Sequence, residues 1–409
     1  MTNALRGNAL VGQSGGPTAA INATLAGVIR AAASCEGIRT LYGMRNGIEG
    51  FLRENLVDLS ARFEGGRDID RLIGTPAAAL GSCRKKLPAD LSDPIYPRLL
   101  ELFRRYEIRY VFYIGGNDSM DTVAKLSAYM AGQDYEMRFV GVPKTIDNDL
   151  VGTDHTPGFG SAAKYIATTV QEILRDCAVY TVPAVTVVEI MGRNAGWLTA
   201  AAALPRCVGD ACPDLIYLPE RPFSPDAFFA DVRAALARHP NVVVAVSEGI
   251  RAPDGRYVGE GMQSGAVDAF GHAYLAGAGK ALEQALKAEI GCKVRSVELN
   301  LPQRCAAHLA SATDLRESVR IGEEAVSAAF GGRSGCMMTF RRASDSPYRC
   351  TVECAAIGEV ANAVREVPAE FITPAGNGIT DACLAYLLPL IQGEVTPEYR
   401  NGLPVHFVL

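Results

Sequence analysis

The sequence predicts an α/β fold in which a mainly parallel sheet is covered by helices, and three observations carry that expectation. Short β-rich runs alternate with helical stretches along the chain, the order characteristic of parallel-sheet proteins. Several of those runs are apolar throughout, as strands buried on both faces are. The 409 residues are 48% hydrophobic and 21% charged, ample material for a core and enough for two or three domains.

The clearest strands are 9–12, 110–114, 139–142, 184–190, 215–218 and 242–247. Between them Ile21, Leu25, Val28 and Ile29 keep one helical stripe, and Ile166, Val170, Ile173 and Leu174 keep another. Both read as amphipathic crossover helices. Residues 251–271, rich in Gly and polar groups, are expected to form an exposed excursion. The runs 336–341 and 349–357 flank a Ser-Asp-Ser-Pro turn and predict a β-hairpin, and Thr380 is placed to cap a last helix over 381–388.

Composition excludes several function classes. Forty Lys and Arg against 45 Asp and Glu give a net charge of −5, and no window carries the clustered basic stripe that tracks a nucleic-acid backbone. No run of eighteen apolar residues offers a membrane span, and the amino-terminal apolar run is too short for a signal peptide, so a cytoplasmic location is expected. Eleven cysteines, an odd number without a CxxC pair, are expected to be reduced and mostly buried.

The informative residues follow the strands. Gln13-Ser14-Gly15-Gly16-Pro17 comes after the first, Gly115-Gly116-Asn117-Asp118-Ser119 after 110–114, and Pro143-Lys144-Thr145-Ile146-Asp147-Asn148-Asp149 after 139–142. Ligands of open α/β sheets bind outside the carboxyl ends of strands, so the three loops are expected to converge on one crevice. The bare backbone of each Gly-Gly can cradle phosphate oxygens or serve only a tight turn. Ser14 and Ser119 are candidates for phosphate hydrogen bonds. Asp147 and Asp149, at i and i+2, offer a base and a metal or hydroxyl partner beside the cation of Lys144, with a helix cap or Asx-turn as the structural alternative. Arg84, Arg193, Arg295 and Arg304 are read in or beside loops, where guanidinium forks suit phosphate. The GxGxxA run 158–163 lacks a strand directly before it and reads as close helix packing. Neither His155 nor His308 has a nucleophile to form a triad.

Taken in order, Ser14-Gly15-Gly16 with Asn22, Gly115 to Ser119, Pro143 to Asp149, Met191-Gly192-Arg193, Pro219-Glu220, Ser247-Glu248-Gly249 and Gln303-Arg304 resemble the phosphofructokinase family over nearly the whole chain. The resemblance implies two doubly wound, mainly parallel-sheet, Rossmann-like domains with the active site between them. The phosphoryl-donor domain is expected over 1–158 with about 303–370, and the sugar-phosphate domain over 159–302 with about 371–409. It further implies that Asp147 is the general base toward the sugar 1-hydroxyl, with Thr145, Asp149 and Arg193 beside it. Met191, Gly192, Arg193, Glu248, Arg295 and Arg304 match positions that hold fructose 6-phosphate, and Gly16, Arg84, Ser119 and Lys144 fall on the donor side. Mg2+ is the implied cofactor, with Asn117 where relatives commonly carry a metal-holding aspartate. Asp118 and Lys144 both stand where ATP-using relatives carry glycine, as in pyrophosphate-using relatives, so pyrophosphate is the expected donor. Arg295 is expected to reach a neighbouring subunit's site, which makes a homodimer or homotetramer the expected assembly. Three alternatives stay open: the same chemistry on a longer sugar such as sedoheptulose 7-phosphate, ATP as donor, or a silent sugar-phosphate-binding subunit, for which Asn117 is the hint.

Overall fold

The structure is a computed structural model that describes residues 5–209, 211–260, 277–360 and 363–409. The chain opens with β1 (Gly7–Gln13), α1 (Ile21–Ala33), β2 (Ile38–Met44) and β3 (Leu56–Asp58). It continues through α2 (Ile95–Arg105), β4 (Ile108–Gly115), α3 (Asn117–Ala131) and β5 (Arg138–Pro143). Helix α4 (Phe159–Ala178) leads to β6 (Ala184–Ile190), β7 (Leu215–Tyr217), α5 (Pro225–Leu236), β8 (Asn241–Ser247), α6 (Ala278–Glu289) and β9 (Lys293–Glu298). Helix α7 (Ala312–Phe330) then brings the chain to β10 (Cys336–Asp345) and β11 (Tyr348–Ala356), and α8 (Asp381–Leu387) follows.

Two sheets result. The first has seven strands in the order β11-β10-β5-β4-β1-β2-β3, and the second has four in the order β7-β8-β6-β9. All pairings in the second sheet are parallel, whereas β3 and β11 close the edges of the first as antiparallel strands. The central strands bury both faces: every residue of β1 is buried, as are all but the first residues of β6 and β8. Helices α1 and α7 pack with their backbones nearly touching, because a methyl group at Gly27 would overlap the carbonyl of Val319 and one at Gly322 that of Thr24. On the second sheet, α4 contributes Phe159, Ala163, Ile166 and Val170 to a core shared with Trp197 and with Leu384 and Leu387 of α8.

The expected strands and both crossover helices are present, with ends displaced by a few residues. Three strands of the two large sheets lie outside the expectation: β2, β3 and β9. Strand β9 reads Lys-Val-Arg-Ser-Val-Glu and sits at an edge with Lys293 and Glu298 exposed at its ends and Arg295 half-buried, so charged residues on both faces mask the alternation. Arg295, read as a loop residue, is therefore a strand residue paired with Thr186 of β6. The hairpin forms and is longer than expected. Helix α8 starts after Thr380, but that hydroxyl donates to the Glu370 carbonyl (2.9 Å) and caps nothing. Helix α4 begins at the GxGxxA run as a packing device: Gly158 and Ser161 donate their N–H groups to the Asp314 carboxylate, each at 2.9 Å, so no phosphate is needed there. Of the 251–271 excursion, residues 251–260 form a turn closed by an Arg251–Tyr257 bridge, and the remainder lies outside the described residues. The last segment returns to the first sheet's side, where Glu398 meets Arg71 and Phe407 stacks near Phe63.

The eleven cysteines are all free, but only Cys83, Cys336 and Cys383 are fully buried; Cys207 and Cys305 are exposed and the rest are half-buried. Among the described residues no helix is long and apolar enough to cross a membrane.

Candidate active site

The carboxyl ends of β1, β4 and β5 face those of β6, β8 and β9 across a cleft of about 740 Å3. On the first wall, β1 leads into Gly15, whose φ of 77° turns the chain so that Gly16 faces the opening. A methyl at Gly115 would overlap the Ser119 side chain, so only glycine lets α3 start so close to β4. The loop carrying Arg84 is stitched to the β1 loop: Gly15 N–H donates to the Cys83 carbonyl (3.2 Å) and the Ser82 hydroxyl donates to the Gly15 carbonyl (2.6 Å). After β5, the Lys144 N–H donates to the Gly115 carbonyl at 2.9 Å. Its ammonium then reaches across to donate to the Gly16 carbonyl at 2.6 Å.

On the second wall, β6 ends at Met191-Gly192-Arg193. Gly192 has φ 142°, and a side chain there would strike the Ala195 carbonyl. The Met191 N–H donates to Gln303 Oε1 (3.1 Å) and the Gly192 N–H to Glu248 Oε1 (3.3 Å), which ties the end of β8 and the helical turn Pro302–Cys305 to β6. That turn places Arg304 opposite Gly16; a methyl on Gly16 would lie 3.6 Å from its guanidinium.

The cleft is densely charged, and several of its charged side chains are buried. Lys144 is 2% exposed, and burial first, then the neighbouring Arg304 and Arg84, depress its ammonium to about 8, while Asp147 and Asp149 pull it back up. Burial raises both carboxylates: Asp147 lies above the usual aspartate range, and Asp149 is pushed up to about 7 with the charge of Asp147 adding to the burial. Glu248 rises to about 8 for the same first reason, partly offset by the Gly192 N–H. Thr145 steadies Asp147, whose N–H donates to the threonine hydroxyl at 3.1 Å. Asp118 pairs with Lys86 at 3.1 Å. The Asn117 amide donates to the Ala363 carbonyl at 3.0 Å. Asn117, Asp147 and Asp149 line the same cleft and offer oxygen donors of the kind a hard divalent cation takes.

The cleft brings together Gly16, Arg84, Asn117, Asp118, Ser119, Lys144, Thr145, Asp147, Asp149, Met191, Arg193, Glu248 and Arg304, with Gly192 shaping the turn beneath them. Asp147 and Asp149 cap no helix. Two expected residues, Arg295 and Ser14, fall elsewhere, as does His155, for which no role was expected. Arg295 lines a separate depression with Thr169 and Glu172, 3.8 Å from Asp176. Ser14 turns inward and donates to the Cys83 carbonyl (3.3 Å). His155 is buried, bonded at 2.8 Å to both Asp154 and Glu317 and held protonated, its imidazole raised to about 9 despite burial because two carboxylates grip it. Lys86 was missed, although Arg84 and Lys86 at i and i+2 in an extended segment fall on one side. Glu189, Glu298 and Asn300 also line the second wall, and the last two are placed there by β9.

The phosphofructokinase family model matches residues 8–329. A pyrophosphate--fructose 6-phosphate 1-phosphotransferase of Methylococcus capsulatus is 43% identical over 98% of this chain and 96% of its own length. The enzyme of the same name from Halomonas elongata is 44% identical over 97% and 94%. A crystal structure of a pyrophosphate-dependent phosphofructokinase from Nitrosospira multiformis superposes with a TM-score of 0.89 at 39% identity, covering 98% of this chain and 96% of that one. Matched over most of its length in sequence and in fold, with two Rossmann-like layers facing one charged cleft, the chain belongs to the phosphofructokinase family.

Proposed function

We propose that the chain catalyses reversible phosphoryl transfer from pyrophosphate to the 1-hydroxyl of fructose 6-phosphate, giving fructose 1,6-bisphosphate and phosphate. One observation carries the choice of donor: a buried lysine at position 144 bridges to Gly16 on the floor of the cleft, while the Asp118–Lys86 pair stands at the first turn of α3. Lys144 supplies a compact cation to a small anionic donor, and Asp118 crowds and repels the nucleoside and α-phosphate of a larger one. Relatives that carry this activity in their names support the reading.

Asp147 acts as general base. Burial raises its proton affinity, and Lys144, Arg193 and Arg304 keep it ionised enough to accept the 1-hydroxyl proton. The hydroxyl oxygen forms a bond to the near phosphorus of pyrophosphate as the bridging P–O bond breaks, and the leaving phosphate takes that electron pair. Lys144, Arg84 and Arg304 neutralise the charge spread over the transferring group. Gly16 and Ser119 meet the donor. Thr145, Met191, Gly192, Arg193, Glu248 and Arg304 hold the sugar phosphate, and Asp149 places substrate and metal. Mg2+ is the proposed cation, held by Asn117 with Asp147 or Asp149, and when bound it neutralises donor charge.

Arg295, remote from its own cleft, is assigned to the sugar 6-phosphate of a partner subunit, so a homodimer or homotetramer is the proposed assembly. The donor is assigned to the domain over 1–158 with about 303–370, and the sugar phosphate to 159–302 with about 371–409. Eleven unpaired cysteines suit a reducing compartment, and we place the enzyme in the cytoplasm, in glycolysis and gluconeogenesis. Phosphorus NMR of purified protein with fructose 6-phosphate, pyrophosphate and Mg2+ tests the reaction. Appearance of fructose 1,6-bisphosphate and phosphate is expected, with pyrophosphate regenerated from those products; persistence of unreacted pyrophosphate would refute it.

A further inference from the structure

The loop that carries Asp147 and Asp149 is held from behind by residues more than two hundred positions later. Asn148, between the two carboxylates, has φ 55° and is fully buried while its neighbours line the cleft. A left-handed residue at that point turns the chain so that both flanking side chains face the opening, and asparagine tolerates the conformation better than most residues. Its amide donates to the hydroxyl of Tyr386, on α8, at 3.0 Å.

That hydroxyl is fully engaged. It donates to the Asp154 carbonyl at 2.6 Å and accepts from Asn148 and, at 3.4 Å, from the Arg365 guanidinium. Arg365 also donates its backbone N–H to the Asp149 carbonyl at 2.8 Å, so the same pair of C-terminal residues grips the loop at two successive positions. The grip is itself fixed. The Arg365 guanidinium lies 4.4 Å from the Trp197 ring and its carbonyl accepts the indole N–H at 3.0 Å. The Arg342 guanidinium covers the Tyr386 ring at 4.4 Å and ion-pairs with Asp154 at 3.0 Å.

We propose that Tyr386 is a positioning residue for phosphoryl transfer, acting through Asn148 to aim Asp147 and Asp149 into the cleft. It touches no substrate. The claim rests on the function proposed above, since it presumes that these two carboxylates carry the chemistry.

Replacing Tyr386 by Phe keeps the ring and removes only the hydroxyl. Loss of aim by about 1 Å lowers kcat by about 10- to 100-fold, while the KM for pyrophosphate stays within about twofold, because Gly16, Arg84 and Ser119, which meet the donor, lie on other loops. A double cycle with Asn148→Ala separates positioning from general stability: the two substitutions together lose no more than Asn148→Ala alone. Tyr110→Phe is the control, removing a hydroxyl that donates to the Leu5 carbonyl at the amino-terminal end of β4, away from the cleft; it shifts the melting temperature and leaves kcat unchanged. Amide hydrogen exchange supplies a reading independent of turnover: Tyr386→Phe speeds exchange at 146–149 and leaves β6 and β8 unaltered. Wild-type kcat in Tyr386→Phe, losses that multiply in the double variant, or unchanged exchange at 146–149 would each overturn the proposal. If the wild-type protein turns over no pyrophosphate, the function above fails, and the exchange measurement alone decides whether Tyr386 orders the loop.

Discussion

Replacing Lys144 by Met removes one cation from the cleft and nothing from its shape. The ammonium is 2% exposed, and its fall from 10.5 to about 8 corresponds to about 3 kcal/mol against the charged form. That cost is borne by the free enzyme, so Lys144→Met should melt no lower than the wild type at pH 7. Function should move the other way. A charge-assisted hydrogen bond to a phosphate oxygen contributes about 1.5–3 kcal/mol, so kcat/KM for pyrophosphate should fall roughly 10- to 150-fold. The KM for fructose 6-phosphate should barely change. The pH dependence supplies a second signature. Lys144 is protonated below about 8, so wild-type kcat/KM for pyrophosphate should decline as pH rises through that value, and the variant should lack this limb. Steady-state kinetics at fixed sugar phosphate from pH 6.5 to 9.5, with a melting curve for each protein, measures all three. A variant within twofold of wild type, or one that keeps the alkaline limb, would refute the role given to this lysine.

Other outcomes follow from the same structure. Asp147→Asn should lower kcat by about 10²- to 10⁴-fold while fructose 6-phosphate binding by calorimetry stays within a few-fold; retention of turnover would remove Asp147 as base. The buried His155, raised from 6.5 to about 9, contributes stability that is fully present below pH 6.5 and lost as pH rises through 9, up to about 3 kcal/mol. Wild-type protein should therefore melt lower at pH 10 than at pH 7, with a flatter dependence in His155→Gln. Gly27→Ala forces a methyl against the Val319 carbonyl where α1 meets α7. It should cost about 1–3 kcal/mol in denaturant unfolding without altering kcat/KM at 25 °C.

The strands that carry the first wall were legible because they are central, parallel and buried on both faces, so β1, β4 and β5 show as uninterrupted apolar runs. Their loops could then be assigned to one crevice by topology alone, which is why Gly16, Asp118, Lys144 and Asp147 were found together before any coordinates. Strand β9 is not legible because this edge strand carries charged residues on both faces, which makes Arg295 read as a loop residue and leaves Glu298 and Asn300 unplaced. Side-chain direction within a loop was also beyond reach: Ser14 and Lys86 sit beside recognised residues, yet the first turns inward toward Cys83 and the second outward toward Asp118. The contacts behind the catalytic loop were invisible for a different reason. Tyr386 and Arg365 meet Asn148 and Asp149 only through tertiary packing across more than two hundred residues, and no local pattern encodes that.

The central claim is that Asp118 and Lys144 select a small anionic donor. Measuring kcat/KM for pyrophosphate and for ATP side by side, in the wild type and in the Asp118→Gly, Lys144→Gly double variant, tests it most directly. The account predicts a wild type that uses pyrophosphate far better than ATP and a double variant in which pyrophosphate use drops while ATP use rises. A wild type active with ATP and not with pyrophosphate, or a double variant with unaltered pyrophosphate kinetics, would contradict it.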